Sequence, residues 1–553
     1  MSKQNKGRPV QVVAPPKEVM SPATERYLVY FFLLLALVFA LYVRGRLLGL
    51  PLERDEGEYA YMGQLILNGI PPYTEAFNMK LPGTYYMYAL YMGLFGQSIE
   101  GIHLGLLITN VISIALLYFT GKKIVNPIAG AIAALSYSIL SSAPEIYGLA
   151  AHATHFNVLF GLGGLWALLL VLENEKVRWV VGSGVLFGLS FVMKQQAVFL
   201  VLFGGIVLLI HEFKRSPRNL KTSAARLSVF ALAAATPYLC VVLVALSTGS
   251  FDQFWHWTVE YASQYAGVKT WAMASNLFMM TFKSIITGVW GFWVLGLLGA
   301  AALNFTALDG RKRLILTLFV LFSFLCVCPG FYFRNHYFIV FLPALSLLIG
   351  VAILFLNERA AKLKVSGARY LPLALFVLVA ASSLYSHRKH FFTYSAEEVC
   401  TWQYGSNPFA QTLEIARYIQ KNTTESDRIA VFGSEPQIYF YSKRKSATGI
   451  LYVYPLMENQ PYSLEMQQMT RADIEQNRPK YIVVVKSPFS WLIREDSNRQ
   501  ILQWYEQYAV MHYDLVGVAD IIGPGNTQYV WGEAALQYKV HGQASVFVLE
   551  RRD

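Results

Sequence analysis

Charge is what this sequence has least of. Only 14% of its 553 residues are Asp, Glu, Lys or Arg, where a soluble domain carries about 25%. An ordinary water-soluble enzyme is thereby excluded. Cysteine is scarce too. Cys240, Cys326, Cys328 and Cys400 are too few for a disulfide framework, and three of them sit in apolar runs as small buried side chains. The absence of a glycine period, of internal repeats and of low-complexity tracts removes collagen-like and repeat-fibre classes. A hydrophobic content of 55% removes disorder. What the chain does have is long hydrophobic runs.

A bilayer core is crossed by about 20 apolar residues in helical form. The runs predict eleven such helices, over 27–43, 102–120, 127–142, 156–172, 179–193, 197–211, 227–247, 284–304, 314–328, 337–356 and 370–386. The chain therefore reads as a polytopic α-helical membrane protein. With the N-terminus inside, the cytoplasmic segments hold 21 of the 31 Lys and Arg residues up to Lys389, as membrane topology demands. Residues 1–26 are then a cytoplasmic tail, the first span an uncleaved signal anchor, and 27–389 a membrane domain.

Residues 179–210 are nearly all apolar apart from Lys194-Gln195-Gln196. One helix would run about 48 Å, too long for a single crossing. Two short helices meeting at Lys194 leave that lysine at the outer surface. From 390 to 553 the pattern changes. Strands are expected at 428–433, 481–485 and 545–549, and amphipathic helices at 409–420 and 498–508, giving a small α/β domain outside the cytoplasm. The net charge of +12 divides into +15 in the membrane half and −3 in this domain. It offers no surface for nucleic acid.

Several polar residues are not explained by a bilayer. Glu53, Asp55, Glu56 and Glu58 place four carboxylates in six positions directly after the first span. They form either a solvated acidic turn or a general base and electrostatic group for chemistry at the membrane surface. Tyr59 follows as a contact candidate. Lys80 lies just before Pro82 at a helix start, which suits an anion such as phosphate; a snorkelling lysine is the competing account. His152 and His155 have a spacing that permits two metal ligands on one helical face. Acceptor contact or interfacial packing ranks above metal, so no metal ligand is assigned; a divalent metal is compatible but not favoured. Arg334, His336 and Tyr337 gather at the edge of a late span, where a buried salt bridge is the alternative. Carboxylates converging with Lys80, Lys194 and Arg334 fit an anionic lipid headgroup and a reacting hydroxyl or amine better than a conduction path.

An Arg-Asp-Glu motif (54–56) in the first outer loop and a Lys-Leu-Pro-Gly motif (80–83) opening a helix resemble those of the GT-C glycosyltransferases. GVLFGLSFVMKQQA around Lys194, FRNHYFIVFLPAL around Arg334 and DRIAVFGSEPQIYFYSKR at 427–444 are similar to the bacterial relatives of protein O-mannosyltransferases and of the lipid A aminoarabinose transferase. The resemblance implies a GT-C fold with a C-terminal periplasmic α/β domain in a bacterial inner membrane. It implies transfer of a sugar from a polyprenyl-phosphate donor to a glycan, lipid or protein acceptor, with inversion. Asp55 would be the catalytic carboxylate, and Glu56 would assist it or fix the loop. Lys80 and Lys194 would hold the donor phosphate, with Arg54 and Arg334 adding charge. Tyr59, His152, His155, His336 and Tyr337 are candidates for the sugar or acceptor. Lys-Leu-Pro stands where relatives commonly have Lys-Pro-Pro, and His155 and Asn157 stand where an acidic residue is usual. A periplasmic ligase or polymerase of lipid-linked glycans is the alternative, and a lipid-linked sugar transporter or flippase a more distant one.

Overall fold

The computed structural model describes residues 21–215, 219–267, 269–363, 365 and 367–552. Most of the expected tail, 1–20, lies outside the described residues. Ser21 caps the first helix, α1 (Pro22–Arg46), by accepting from the Thr24 N–H. Arg54–Leu67 (α2) and Gly83–Phe95 (α3) follow as shorter helices, then Ile99–Ile124 (α4), Pro127–Leu140 (α5), Ala153–Asn174 (α6) and Val177–Met193 (α7). The 179–210 run does break at Lys194, and Val198–Lys214 (α8) begins after a single 3₁₀ turn. Leu220–Ser247 (α9) completes the first half.

Beyond two short helices, Phe251–Trp255 (α10) and Ala262–Gly267 (α11), come Trp271–Ile286 (α12) and Trp290–Ala302 (α13), then Gly310–Leu325 (α14), Leu342–Ala360 (α15) and Leu371–Ser386 (α16). Among the described residues seven helices are long and apolar enough to cross a membrane. The other four expected spans fall on the shorter helices α5, α7, α13 and α14. The expected 284–304 span needs correction. Residues 284–286 end α12, and the chain then bends by 110° into α13. Gly288, at φ +75°, supplies a left-handed backbone that a helix interior does not accommodate.

Small residues let these helices approach closely. A Cβ on Gly188 of α7 would lie 2.2 Å from the Ala234 carbonyl of α9, the close packing on which membrane helices depend. Near its C-terminal end α1 carries Arg44, buried, which donates to the Ser141 and Gly148 carbonyls at 2.7 and 2.9 Å. It pins the loop between α5 and α6.

The C-terminal domain is built on one mixed sheet. Its strands are β1 (Arg428–Phe432), β2 (Lys445–Ser446), β3 (Tyr481–Lys486), β4 (Tyr513–Gly523), β5 (Asn526–Trp531) and β6 (Ala544–Arg551), in the order β2-β1-β3-β6-β4-β5. β1 is parallel to β2 and β3, and the remaining pairs are antiparallel. β3 is buried at five consecutive positions, as expected of a central strand covered on both faces.

This domain sits directly on α2. A Cβ on Gly57 would lie 2.6 Å from the Gln437 backbone nitrogen. The Tyr61 hydroxyl accepts from the Ser446 N–H, the Leu52 N–H donates to Tyr441, and Phe77 forms a parallel bridge with Ile450. Glu75 pairs with Arg428 and Lys445.

Candidate active site

The acidic segment is not a loose turn. Glu53 caps α2: its side chain accepts from the Glu56 N–H at 3.1 Å, while the Glu56 carboxylate accepts from the Glu53 N–H at 3.2 Å. Such a capping box satisfies two otherwise unpaired donors, and the positive helix end favours the carboxylates that follow. Glu56 is fully buried and also accepts from His103 Nε2 at 2.9 Å and from the Ala151 N–H at 2.5 Å. It ties the start of α2 to α4 and to the loop between α5 and α6.

Asp55 and Glu58, three apart, share a helix face, and Lys80 lies between them. Its ammonium donates to Asp55 Oδ1 at 2.8 Å and to Glu58 Oε2 at 2.5 Å, and it stands 4.6 Å from the Tyr59 ring. Glu58 is sealed from solvent, whereas the Asp55 side chain keeps 27% of its exposure. The segment carrying Lys80 is fixed by the Tyr73 hydroxyl, which donates to the Lys80 carbonyl, and by the Gln195 amide, which donates to the Met79 carbonyl. Gly83 completes the fit. A Cβ there would come within 2.5 Å of the Val192 carbonyl, so the Lys-Leu-Pro-Gly turn rests against the helix break that carries Lys194.

Burial opposes charge on Asp55, but Lys80, aided by His336 and His152, holds its carboxyl well below the usual range. Lys80 is held well above its ordinary value, against burial, by Asp55 and Glu58. Lys194 differs. Among the described residues no carboxylate lies within ion-pair distance of it, and its ammonium sits 3.8 Å from the Tyr337 ring. Burial, with Lys80 and Arg334 adding repulsion, pushes it down to about 7 against the pull of Asp55. His152, at the start of α6, is pushed down to about 4 by burial. It stacks on His336 with ring centroids 4.2 Å apart. Ligand atoms of Asp55, His152 and His336 lie within 4.8 Å of one another, a carboxylate and two imidazoles able to hold a divalent cation.

Residues 79–241, which carry Lys80, His152 and Lys194, match the family model described as dolichyl-phosphate-mannose-protein mannosyltransferase. Residues 410–507 match that of the Ccs4 C-terminal domain of competence-induced proteins. Among solved structures, the chain is similar to ArnT from Cupriavidus metallidurans bound to undecaprenyl phosphate, at 14% identity and a TM-score of 0.57, over 96% of this chain and 98% of that one. The chain therefore has the GT-C fold. The Archaeoglobus fulgidus oligosaccharyltransferase AglB, in complex with an inhibitory peptide and a dolichol-phosphate, matches at 13% identity and a TM-score of 0.54, over 92% and 75% of the two chains. No curated protein matches by sequence.

The GT-C architecture brings most of the expected residues together. Asp55, Lys80, Tyr59, Lys194, Tyr337, His152 and His336 lie about one centre. Arg54 is committed elsewhere. It pairs with the buried Glu435 at 2.9 Å, donates to Ser434 and Asn407, and lies over Phe409 and Tyr454. His155 does not join His152 on one helical face. His152 precedes α6, while His155 lies in its first turn and bonds the Gly148 carbonyl with Nε2. Arg334 is exposed, 5.7 Å from the Tyr332 ring. Glu58 was named among the four carboxylates but given no role of its own, and two residues were missed: Tyr85, which donates to Glu58 Oε1 at 2.7 Å, and Tyr452 of the C-terminal domain, which donates to Glu58 Oε2 at 2.7 Å. Glu58 carried a signal, its i+3 spacing from Asp55. Tyr452 carried none.

Proposed function

We propose that this glycosyltransferase moves a sugar from a polyprenyl-phosphate donor to a glycan, lipid or protein acceptor on the outer face of a bacterial inner membrane, with inversion. The observation that carries the reading is the pairing of a solvent-reaching carboxylate, Asp55, with Lys80, beside the unpaired cation Lys194. Lys80 and Lys194 would hold the donor phosphate. The acceptor hydroxyl or amine attacks the anomeric carbon from the face opposite the phosphate, its proton passes to Asp55, and the anomeric C–O bond breaks to release polyprenyl phosphate. Fixed cations stabilise the charge that gathers on the leaving phosphate. A phosphate that draws Lys80 toward itself also weakens that lysine's hold on Asp55. The carboxylate then gains basicity as the donor binds, and general-base help is worth roughly 10²–10⁴-fold. Glu56 fixes the helix start through His103 and Ala151.

A second reading follows from the Asp55–His152–His336 cluster. These residues would hold a divalent cation, which would supply Lewis-acid stabilisation of the phosphate. Lys80 on Asp55 and Lys194 nearby disfavour a further positive charge, so the lysine reading stands first. The test uses membranes supplied with radiolabelled polyprenyl-phosphate hexose and a cell-envelope extract. Asp55→Asn is expected to lower transfer by at least 10²-fold and EDTA to leave the wild type active. Full activity of the variant would end the catalytic assignment, and loss with EDTA restored by a divalent metal would favour the second reading.

A further inference from the structure

Glu58 is fully buried and is shared by three donors. Oε1 accepts from the Tyr85 hydroxyl at 2.7 Å, and Oε2 accepts from Lys80 at 2.5 Å and from the Tyr452 hydroxyl at 2.7 Å. A phenol has one proton to give. The Tyr452 oxygen also lies 3.1 Å from the Arg54 carbonyl and 3.4 Å from Asp55 Oδ1. The shortest approach is to the buried carboxylate, and hydrogen bonds to ionised acceptors are the strong ones.

Tyr452 belongs to the outer domain, and its place there is fixed. The Val453 N–H donates to the Ser434 hydroxyl at 3.2 Å, and the Tyr454 ring stacks on Tyr452 while also lying 5.2 Å from the Arg54 guanidinium. The Tyr452 ring itself stands 5.3 Å from the Lys80 ammonium. One residue of the outer domain thus reaches both the lysine and the carboxylate that holds it.

We propose that Tyr452 is a positioning residue of the active site, which engages the Glu58 oxygen used by Lys80 and so keeps Lys80 available to the donor phosphate. Negative charge on Oε2 is divided between two donors. With the hydroxyl gone, Lys80 is that oxygen's remaining partner and is held more tightly by Glu58. A phosphate then has to compete harder for it. Because Tyr452 arrives only when the outer domain is docked on α2, docking completes the donor site. This inference rests on the reading of Lys80 as a phosphate ligand.

The test titrates undecaprenyl phosphate into the purified full chain in lipid nanodiscs. Tyr452→Phe keeps the ring and is expected to weaken binding roughly tenfold with an unchanged melting temperature. Glu58→Gln removes the competing charge, so binding should tighten, and adding Tyr452→Phe to it should change affinity less than twofold. Wild-type affinity in Tyr452→Phe, or the same tenfold loss in the Glu58→Gln background, would overturn the proposal. Lys80→Ala separates the two levels. If that variant binds undecaprenyl phosphate as the wild type does, the phosphate role of Lys80 has failed. If it binds weakly while Tyr452→Phe is normal, only the positioning role has failed.

Discussion

Lys194 makes donor binding depend on pH above neutrality. Its ammonium is pushed down to about 7, first by burial and then by Lys80 and Arg334. Below pH 7 it is charged, and above pH 7 it loses its proton in the empty site. A bound phosphate anion favours the charged form and draws the value back toward the ordinary 10.5. Binding above pH 7 therefore takes up one proton, and Kd rises by up to about tenfold per pH unit. Between pH 7 and 9 the loss approaches roughly a hundredfold. Lys80 titrates above this window because Asp55 and Glu58 hold it up, and His152 titrates below it, at about 4. A phosphate monoester has its second pKa at about 6, so its own charge changes little in this range. The assay is titration of undecaprenyl phosphate into nanodisc-embedded protein at pH 6.5, 7, 8 and 9. Lys194→Arg, whose guanidinium stays charged throughout, should flatten the profile, and Lys194→Gln should bind weakly at every pH. A wild-type Kd that is flat from pH 7 to 9, or a slope that survives in Lys194→Arg, would refute the assignment of this cation to the phosphate.

The same lysine should trade stability for binding. A lysine whose folded value is depressed destabilises the fold below pH 10.5, fully so below about 7, so Lys194→Met should raise the apparent Tm by roughly 2–4 °C at neutral pH while weakening phosphate binding. Arg54→Ala leaves the Glu435 carboxylate buried without its cation, which should cost about 3–5 kcal/mol, read as a lowered unfolding temperature and as new protease cleavage near 433–437. Gly57→Ala forces a Cβ to within 2.6 Å of the Gln437 backbone. Overpacking of this kind costs about 1–3 kcal/mol, and transfer in the radiolabel assay should fall well beyond any loss of folded protein.

What could be read from the sequence was set by the cost of charge in a bilayer. A long apolar run with one lysine in it has few arrangements, so the break followed from helix length and its place from the polar Lys194-Gln195-Gln196 step. Asp55 and Lys80 stood out because a charge beside a span must be solvated, paired or used. The misplaced 284–304 span shows the limit. Hydropathy runs on through Gly288, but the backbone leaves the helix at the extended Thr287 and the left-handed Gly288, and these two residues separate α12 from α13. In the outer domain β1, β3 and β6 declare themselves as apolar runs. The β4–β5 hairpin was missed although Gly523-Pro524-Gly525-Asn526 marks its turn, because β5 alternates weakly against a half-exposed face and β4 carries Gly517 and Asp520 within its buried run. Tyr452 was beyond reach for a different reason. It lies 394 positions from Glu58 along the chain, and a neutral phenol costs little wherever it falls, so no local rule flags it. Electrostatic necessity makes the ionised members of a buried cluster visible, while the neutral donors that apportion their charge become visible only when the chain is folded.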